Sequence, residues 1–183
     1  MRILVTGTTG GIGGAVREAA LSRGWEVAEV NRGGFESPLP TGPFDAVVFA
    51  TGTCPVRPLT MLGDADLVET FAVNCGLFVK LMRRIVADKL NSPSGMKAVA
   101  VSSVSAIEGW PGGAAYCASK GALSAVCRAL DAELAARGIS VKAVEPRYVR
   151  TRMFENCAGR MGVDPSLAQD PAELAVEILD LVK

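Results

Sequence analysis

A tyrosine and a lysine lie four residues apart in the segment Tyr116-Cys117-Ala118-Ser119-Lys120, so in a helix their side chains share one face. A tyrosine hydroxyl has a pKa of about 10 and is a poor acid or base at neutral pH. Lowering that pKa to about 7 takes roughly 4 kcal/mol of preferential stabilisation of the phenolate, which neighbouring cations can supply. An isolated pair of this kind is more often a half-buried aromatic residue beside a solvated lysine. Other residues must therefore show whether this pair is catalytic.

A glycine-rich turn, Thr6-Gly7-Thr8-Thr9-Gly10-Gly11-Ile12-Gly13, separates the first apolar strand from the first helix. Glycines permit the tight turn and let backbone amides approach a pyrophosphate, whose charge the helix N-terminus then holds. Glycines also serve as simple loop punctuation. The strand-turn-helix context favours a dinucleotide site over that alternative.

Composition excludes several classes of site. The chain has no histidine, so catalytic Ser-His-Asp and Cys-His pairs, the HExxH zinc motif and a histidine base are all ruled out. The 19 basic residues balance 19 acidic residues, which argues against a nucleic-acid partner.

The five cysteines are widely spaced and include no CxxC pair, so the sequence predicts neither a disulfide framework nor a metal site. We expect Cys117 and Cys127 to pack in the core or an interface, with a redox switch as the alternative. The N-terminus is too short for a signal segment, and no apolar run approaches the ~18 residues that span a membrane. We therefore expect a cytoplasmic protein with no membrane partner.

The elements that must position these residues alternate along the chain. Helical patterns follow most of the short apolar runs, which predicts an α/β fold with a Rossmann-type doubly wound parallel sheet of about six strands in three layers. A length of 183 residues suits a single domain over residues 1–183. Predicted strands cover residues 3–5, 27–30, 46–50, 98–101 and 139–144. The main helices begin near residues 11, 67, 115 and 171. The second extends to residue 90 with Phe71 and Phe78 on its buried face, and Asp170 caps the last.

Two more polar residues join the tyrosine and lysine. Ser103 follows the strand that ends at Val101-Ser102, where ligands bind in parallel sheets, and Asn74 lies inside the long second helix. In this order and spacing the motifs resemble the short-chain dehydrogenase/reductase family, in a shortened form. The resemblance extends from residue 1 to about residue 153 and includes the glycine-rich turn, residues 45–52 and residues 146–151.

The resemblance implies a role for each of the four residues. Tyr116 would donate a proton to a substrate carbonyl oxygen, or take it from an alcohol, and Ser103 would hold that oxygen. Lys120 would bind the nicotinamide ribose and lower the pKa of Tyr116, while Asn74 would anchor a water that relays protons. Taken singly, Ser103 could equally cap a turn, and Asn74 could be a helix residue that bonds to the backbone. It is not plausible that all four residues have only such structural roles.

We expect the second strand to select the nucleotide. It ends Val30-Asn31-Arg32, with an amide where an NAD site has an acid and a guanidinium suited to a 2′-phosphate, which favours NADP and leaves NAD possible. Gly10 stands where NADP-using relatives often have a second basic residue, and Glu36 weakens the field. The predicted cofactor-binding residues are Gly7, Thr9, Gly11, Ile12, Gly13, Asn31, Arg32, Ala50, Gly52, Tyr116, Lys120, Pro146, Val149 and Thr151.

The sequence departs from the family pattern at several positions. The turn fits both the TGxxxGxG and TGxxGxxG patterns, although the length argues against the extended epimerase-like group. Where the family has Asn-Asn-Ala-Gly, this chain has Phe49-Ala50-Thr51-Gly52. Where the family has Pro-Gly, it has Pro146-Arg147, which puts a cation near the pyrophosphate or at the surface. The helix between strands two and three is essentially missing, as is the last strand.

These observations predict an oxidoreductase that transfers a hydride between NADP(H) and a small-molecule carbonyl or secondary alcohol. The alternatives are an NADP(H)-binding sensor without turnover and an epimerase-like enzyme. The resemblance implies a homodimer through the helices that carry Asn74 and Tyr116, and small residues on the second of these helices allow close packing: Ala118, Ala122, Ala125 and Ala129. Five large residues are predicted either to wall a substrate pocket or to cover the sheet: Trp110, Tyr148, Met153, Phe154 and Met161.

Overall fold

Five short apolar runs form one parallel sheet. The structure, a computed structural model, describes residues 1–183. The strands are β1 (Arg2–Thr6), β2 (Glu26–Val30), β3 (Ala46–Phe49), β4 (Met96–Val101) and β5 (Ile139–Val144), in the order β2-β1-β3-β4-β5. Every residue of β3 is buried, because helices cover both faces of the sheet and such strands are apolar throughout.

The predicted doubly wound Rossmann-type fold is confirmed, but the prediction of about six strands is wrong, because the sheet has five. A strand inside a parallel sheet needs a continuous apolar run, and the sequence contains five of them. Beyond β5 the chain adds a single bridge, between Val149 and Gln169, in place of a further strand.

Two layers of helices sandwich the sheet. The helices α1 (Gly11–Ser22) and α6 (Pro171–Leu181) bury Val16 and Ile178 against one face, together with Ile3 and Val5 of β1. On the other face, α3 (Leu77–Ala87) and α4 (Ala114–Leu134) pack against Leu4. Successive residues of β1 thus serve opposite cores, as the alternation of side chains along a strand requires.

The predicted long helix from residue 67 to residue 90 has an interruption. A helix α2 (Asp64–Phe71) leads into a π-helical turn at Ala72–Gly76, and α3 follows. The wider turn rotates the buried face, so Phe78 is fully buried as predicted whereas Phe71, predicted on the same face, is 38% exposed. The turn buries Asn74 instead, and turns of this kind are frequent at functional sites.

The connection between β2 and β3 is short, as the sequence predicts. It contains one 3-10 turn, Arg32–Glu36, whose Phe35 is buried with its ring edge on Phe49. Near the other end of the chain, α5 (Arg152–Met161) begins at Thr151, whose hydroxyl accepts a hydrogen bond from the Phe154 amide. None of the helices has both the length and the apolar surface that a membrane crossing needs.

Candidate active site

The carboxyl ends of four strands border one cleft of about 400 Å³, where Asn31 and Arg32 follow β2. The glycine-rich turn follows β1, Ala50 to Gly52 follow β3, and Ser102 follows β4, so the cleft lies where parallel sheets bind ligands. Eleven of the predicted cofactor-binding residues line it: Gly7, Thr9, Gly11, Ile12, Asn31, Arg32, Ala50, Gly52, Tyr116, Lys120 and Thr151.

The glycines of the turn are required by close backbone contacts. Gly7 has a φ of 70°, and a Cβ atom there would lie 2.7 Å from the carbonyl oxygen of Ala50. Gly13 does not line the cleft, because it is buried where any side chain would collide with the backbone of Gly7. Gly13 therefore allows α1 to approach the turn.

The cleft has the features that a dinucleotide requires. The N-terminus of α1 opens onto it, and the first turn of that helix carries no acidic residue that would repel a phosphate. One end of the cleft is bordered by Arg32 and the other by Tyr116 and Lys120. The residues present therefore fit an elongated, negatively charged cofactor.

Tyr116 and Lys120 lie side by side at the inner end of the cleft. The Lys120 ammonium is 5.7 Å from the centre of the Tyr116 ring and donates a hydrogen bond of 2.8 Å to the carbonyl oxygen of Val101. Burial lowers the pKa of Lys120 to about 8. Burial also raises the pKa of Tyr116 above its ordinary value, and the side chain of Ser103 opposes that rise. In the protein alone, Tyr116 therefore holds its proton at neutral pH.

Asn74 joins the loop after β3 to α4. Its Oδ1 accepts a hydrogen bond from the Thr53 amide (2.7 Å), and its Nδ2 donates to the Thr53 carbonyl oxygen and to Ser119 Oγ, both at 2.9 Å. These bonds use both hydrogens of the side-chain amide. The Asn74 side chain therefore fixes the position of the Thr53 loop beside α4, the helix that contains Lys120.

Serines at the end of β4 hold α4, the helix that contains Lys120, against the sheet. Ser102 Oγ donates to the Lys120 carbonyl oxygen at 3.1 Å, and Ser124 Oγ lies 2.8 Å from Ser102 Oγ. Ser103 is buried next to them, and its Oγ accepts a hydrogen bond of 3.1 Å from the Ser105 amide. Ser102 also lines the cleft and was not predicted to do so, although it follows the same strand as Ser103.

A smaller pocket of about 90 Å³ adjoins the cleft at Tyr116. Five large residues were predicted either to wall a substrate pocket or to cover the sheet. All five line this pocket: Trp110, Tyr148, Met153, Phe154 and Met161. Pro146 and Val149, predicted to bind cofactor, line this pocket and not the cleft. The pocket is therefore mainly apolar, and its polar lining residues other than tyrosine are Ser102, Ser103, Ser105, Arg147 and Thr151.

Two features of this pocket did not follow from the sequence: a contact between two cysteines, and the location of Arg147. Cys54 and Cys157 both line it, and their sulfur atoms are 3.6 Å apart although 103 residues separate them in the chain. Arg147, for which two locations were open, points to the surface, where it forms a two-pronged ion pair with Glu108 at 2.6 Å and 3.2 Å.

Exposed charges surround the outer end of the cleft. The Arg32 guanidinium is 3.5 Å from the Glu69 carboxylate, and both side chains are more than half exposed. Glu36 is bound by Lys80 at 2.6 Å, so its charge is already partnered. Glu29, which was not among the predicted residues, has a carboxylate that accepts a hydrogen bond of 2.7 Å from Arg17 and another from Thr8.

Comparisons with known proteins agree with this geometry. Residues 40–161 match the sequence model of a family described as short chain dehydrogenase. The chain is 33% identical over 92 residues to a 3-oxoacyl-(acyl-carrier-protein) reductase from Rickettsia felis, a match that covers 50% of this chain and 38% of that protein. It is 37% identical over 89 residues to a 3beta-hydroxysteroid dehydrogenase from Mediterraneibacter gnavus, covering 46% of this chain and 32% of the relative. The matched region therefore spans less than half the length of these curated relatives.

Solved structures share the fold along the whole chain. A short chain dehydrogenase family protein from Francisella tularensis superimposes with a TM-score of 0.85 at 19% identity, covering 100% of this chain and 90% of the other. A 4-hydroxyisoleucine dehydrogenase complexed with NADH gives a TM-score of 0.83 at 19% identity, again covering 100% and 90%. At this identity the likeness concerns the fold.

Proposed function

This chain belongs to the short-chain dehydrogenase family, and from that premise we propose that it is an oxidoreductase that transfers a hydride between NADP(H) and a carbonyl or secondary alcohol substrate. One observation carries the proposal. Tyr116 lines both a cleft that fits a dinucleotide and a mainly apolar pocket that fits an organic substrate. The proposed unit is a single domain formed by residues 1–183.

The proposed chemistry divides the reaction between cofactor and protein. The bound nicotinamide supplies or accepts the hydride. In reduction, Tyr116 donates its proton to the substrate oxygen, and in oxidation its phenolate accepts that proton. Ser103 donates a hydrogen bond to the same oxygen and orients it toward Tyr116. The apolar walls of the pocket exclude water, which strengthens both hydrogen bonds.

Lys120 is proposed to stabilise the phenolate form of Tyr116 and to bind the nicotinamide ribose. Its pKa of about 8 keeps most of the side chain cationic at neutral pH, and its ammonium is already close to the tyrosine ring. Because burial raises the pKa of Tyr116, catalysis of alcohol oxidation needs this cation and the positive charge of oxidised cofactor together. Asn74 holds the Thr53 loop so that Lys120 keeps its place.

The proposed preference for NADP(H) rests on Arg32. Its guanidinium borders the cleft, and the ion pair with Glu69 is exposed and long, so a 2′-phosphate can displace it at small cost. Glu36, which the sequence suggested as a weakening charge, is bound by Lys80. Glu29 is the remaining carboxylate near the turn, and Arg17 partly neutralises it.

The proposed substrate is a carbonyl compound with an apolar group beside the carbonyl. Trp110, Phe154 and Met161 form apolar surface around the Tyr116 hydroxyl, and the Arg147 cation is bound by Glu108 at the rim. The relatives named above are a 3-oxoacyl-(acyl-carrier-protein) reductase and a 3beta-hydroxysteroid dehydrogenase, whose names include an acyl group and a steroid, both largely apolar. That agreement supports an apolar substrate without selecting one.

Oxidation of NADPH in the presence of ketones, aldehydes and quinones tests the proposal, with secondary alcohols and NADP for the reverse direction. We expect turnover with an apolar ketone. Tight NADPH binding without turnover on any compound would instead indicate the sensor, and turnover of a sugar nucleotide the epimerase-like enzyme.

We further propose a cytoplasmic homodimer that binds neither nucleic acid nor membrane. Three of the small residues on α4 that were predicted to support the dimer are exposed: Ala118, Ala125 and Ala129. Sedimentation velocity should show a dimer, and Ala125→Arg should shift it to monomer because a long cation cannot fit a close helix contact. A stable tetramer or a monomeric wild type would contradict this proposal.

A further inference from the structure

Two cysteines meet at the wall of the apolar pocket. Cys54 lies in the loop after β3 and Cys157 in the middle of α5, and their sulfur atoms are 3.6 Å apart. Both line the pocket that contains the Tyr116 hydroxyl, and neither lines the dinucleotide cleft. The proposed hydride chemistry uses neither thiol.

The surrounding structure holds the two sulfurs toward each other. Asn74 fixes the residue before Cys54 by bonding both backbone groups of Thr53. On the other side, Arg160 of α5 donates a hydrogen bond of 2.9 Å to the Val56 carbonyl oxygen. The loop and the helix are therefore joined next to the thiol pair, and the thiols meet without a large rearrangement.

The two thiols differ in acidity. The hydrogen bond with Cys54 lowers the pKa of Cys157 to about 7, the guanidinium of Arg160 acts in the same direction, and burial opposes them. The same hydrogen bond, together with burial, raises the pKa of Cys54. Cys157, which lies near a guanidinium, is therefore the more readily ionised of the two thiols, which suits an attacking thiol with Cys54 as the resolving thiol.

We infer that Cys54 and Cys157 are a modification site that a hydroperoxide converts to a reversible disulfide, and that this disulfide closes the substrate pocket. The site takes a two-electron oxidant of the peroxide class. A dithiol restores the reduced form.

The proposed steps balance. The Cys157 thiolate attacks one peroxide oxygen, the O–O bond breaks, and the other oxygen leaves and becomes water after gaining a proton, so Cys157 is oxidised to a sulfenic acid. Cys54 then attacks the sulfenic sulfur, and the hydroxyl leaves as water together with the Cys54 proton. One hydrogen peroxide is reduced to two water molecules while two thiols become one disulfide. A dithiol reverses the change by two exchange steps and is itself oxidised.

Closure follows from where the two cysteines lie. A disulfide holds its sulfurs about 2.0 Å apart, so α5 and the Cys54 loop must move together. Three residues of the pocket wall, Met153, Phe154 and Met161, are carried by α5. Drawing the middle of the helix inward narrows a pocket of only about 90 Å³, whereas the cofactor cleft contacts α5 only at its first two residues, Arg152 and Met153.

The first experiment examines the disulfide without reference to activity. The purified full chain is treated with hydrogen peroxide, its intact mass is measured, and its peptides are mapped without reduction. We expect the loss of two hydrogens, a single crosslink between the peptides of Cys54 and Cys157, and full reversal by dithiothreitol. A crosslink between two chains, a different cysteine pair, or oxidation to sulfinic acid without a crosslink would overturn the inference.

Variants test the assignment of the two thiols. In Cys54→Ser, dimedone should label Cys157 after peroxide, because its sulfenic acid has no resolving partner. In Cys157→Ser, Cys54 should stay unlabelled, because burial still raises its pKa after the hydrogen bond with Cys157 is lost. Cys75→Ser is the matched control and should keep the wild-type crosslink, since Cys75 is half-buried outside the pocket. Labelling of Cys54 and not Cys157 would contradict the order of steps, and Cys→Ala versions replace any serine variant that does not fold.

The effect on turnover rests on the proposed function and is measured separately. We expect peroxide to lower turnover about tenfold or more, dithiothreitol to restore it, and the dissociation constant of NADPH to change far less than turnover. Each serine variant, compared with its own reduced form, should lose no activity with peroxide. A mapped disulfide with undiminished turnover would refute closure of the pocket, whereas an absence of turnover in the reduced wild type would refute the proposed function and leave the mapped disulfide to stand.

Discussion

The inner and outer ends of the cleft are built from opposite kinds of contact. At the inner end, Lys120, Asn74 and Ser102 are buried, and each is hydrogen-bonded to a backbone group. At the outer end, Arg32 is 53% exposed and faces a Glu69 carboxylate that is 66% exposed, at 3.5 Å. A buried polar group that loses its partner costs about 1 to 3 kcal/mol, whereas an exposed ion pair contributes about 0 to 1 kcal/mol.

This difference indicates how substitutions at the two ends of the cleft should affect the protein. The geometry for proton transfer is fixed by folding, because the same hydrogen bonds hold the helix, the strand end and the loop together. The proposed choice of nucleotide depends on surface charges that hold nothing else in place. Substitutions at the inner end should therefore alter turnover or stability strongly, and those at the outer end should alter only the relative affinity for the two nucleotides.

The largest effect is expected from Tyr116→Phe, which removes the transferable proton and keeps the ring. Turnover should fall by about 10²- to 10⁴-fold, the range typical of a lost general acid. The dissociation constant of NADPH should stay nearly unchanged, because the remaining cleft is intact. Steady-state rates and fluorescence titration check both parts, and undiminished turnover would refute the role of Tyr116.

Replacing the buried cation tests the inner end through stability. The pKa of Lys120 is about 8 in the folded protein and 10.5 when the side chain is unperturbed. Between these pH values the unfolded chain binds more protons than the folded one, so this residue makes stability rise with pH across that window. Below pH 8 both states are protonated, and the folded state bears the full cost of burying the charge.

Lys120→Met removes that cost, so the variant should have its greatest advantage in unfolding free energy below pH 8. Between pH 8 and 10.5 the wild type should regain roughly 3 kcal/mol relative to the variant. Urea unfolding of both proteins across this range measures the change, and a pH-independent difference would show that Lys120 is not a buried cation.

A smaller, selective effect is expected from Arg32→Ala. Loss of one charge-assisted contact of about 1.5 to 3 kcal/mol should weaken NADPH binding by about 10- to 100-fold. NADH affinity should hardly change, since NADH has no 2′-phosphate. Arg137→Ala, an exposed arginine beyond α4, is the matched control. Equal wild-type affinities for NADPH and NADH would show that Arg32 does not bind the phosphate.

The smallest effect is expected at the carboxylate that competes for Arg32. Glu69→Gln should tighten NADPH binding by a few fold, as expected for an exposed pair worth about 0 to 1 kcal/mol. Glu36→Gln should have no such effect, because Lys80 already binds that carboxylate. Calorimetric titrations of the two variants separate the neighbours, and an equal gain in both would contradict the pairing seen at this edge.

Local physics explains what the sequence determined by itself. The glycine-rich turn, the four-residue spacing of Tyr116 and Lys120, and the cap of α6 by Asp170 each depend on neighbours within a few residues. All three occur in the structure, and the cap is visible as a hydrogen bond of 2.8 Å from the Ala172 amide to Asp170. The alternation of apolar runs and helical patterns likewise predicted the doubly wound fold.

Only the tertiary structure decided features that join distant segments. The meeting of Cys54 and Cys157 depends on how α5 packs over the loop after β3, and nothing in their spacing indicates it. The π-helical turn that buries Asn74 overrode a regular helical pattern, because its side chain binds backbone and Ser119 across the fold. The lowered pKa of Lys120 is also a tertiary property, since desolvation depends on everything packed around the ammonium and not on the residues beside it in the chain.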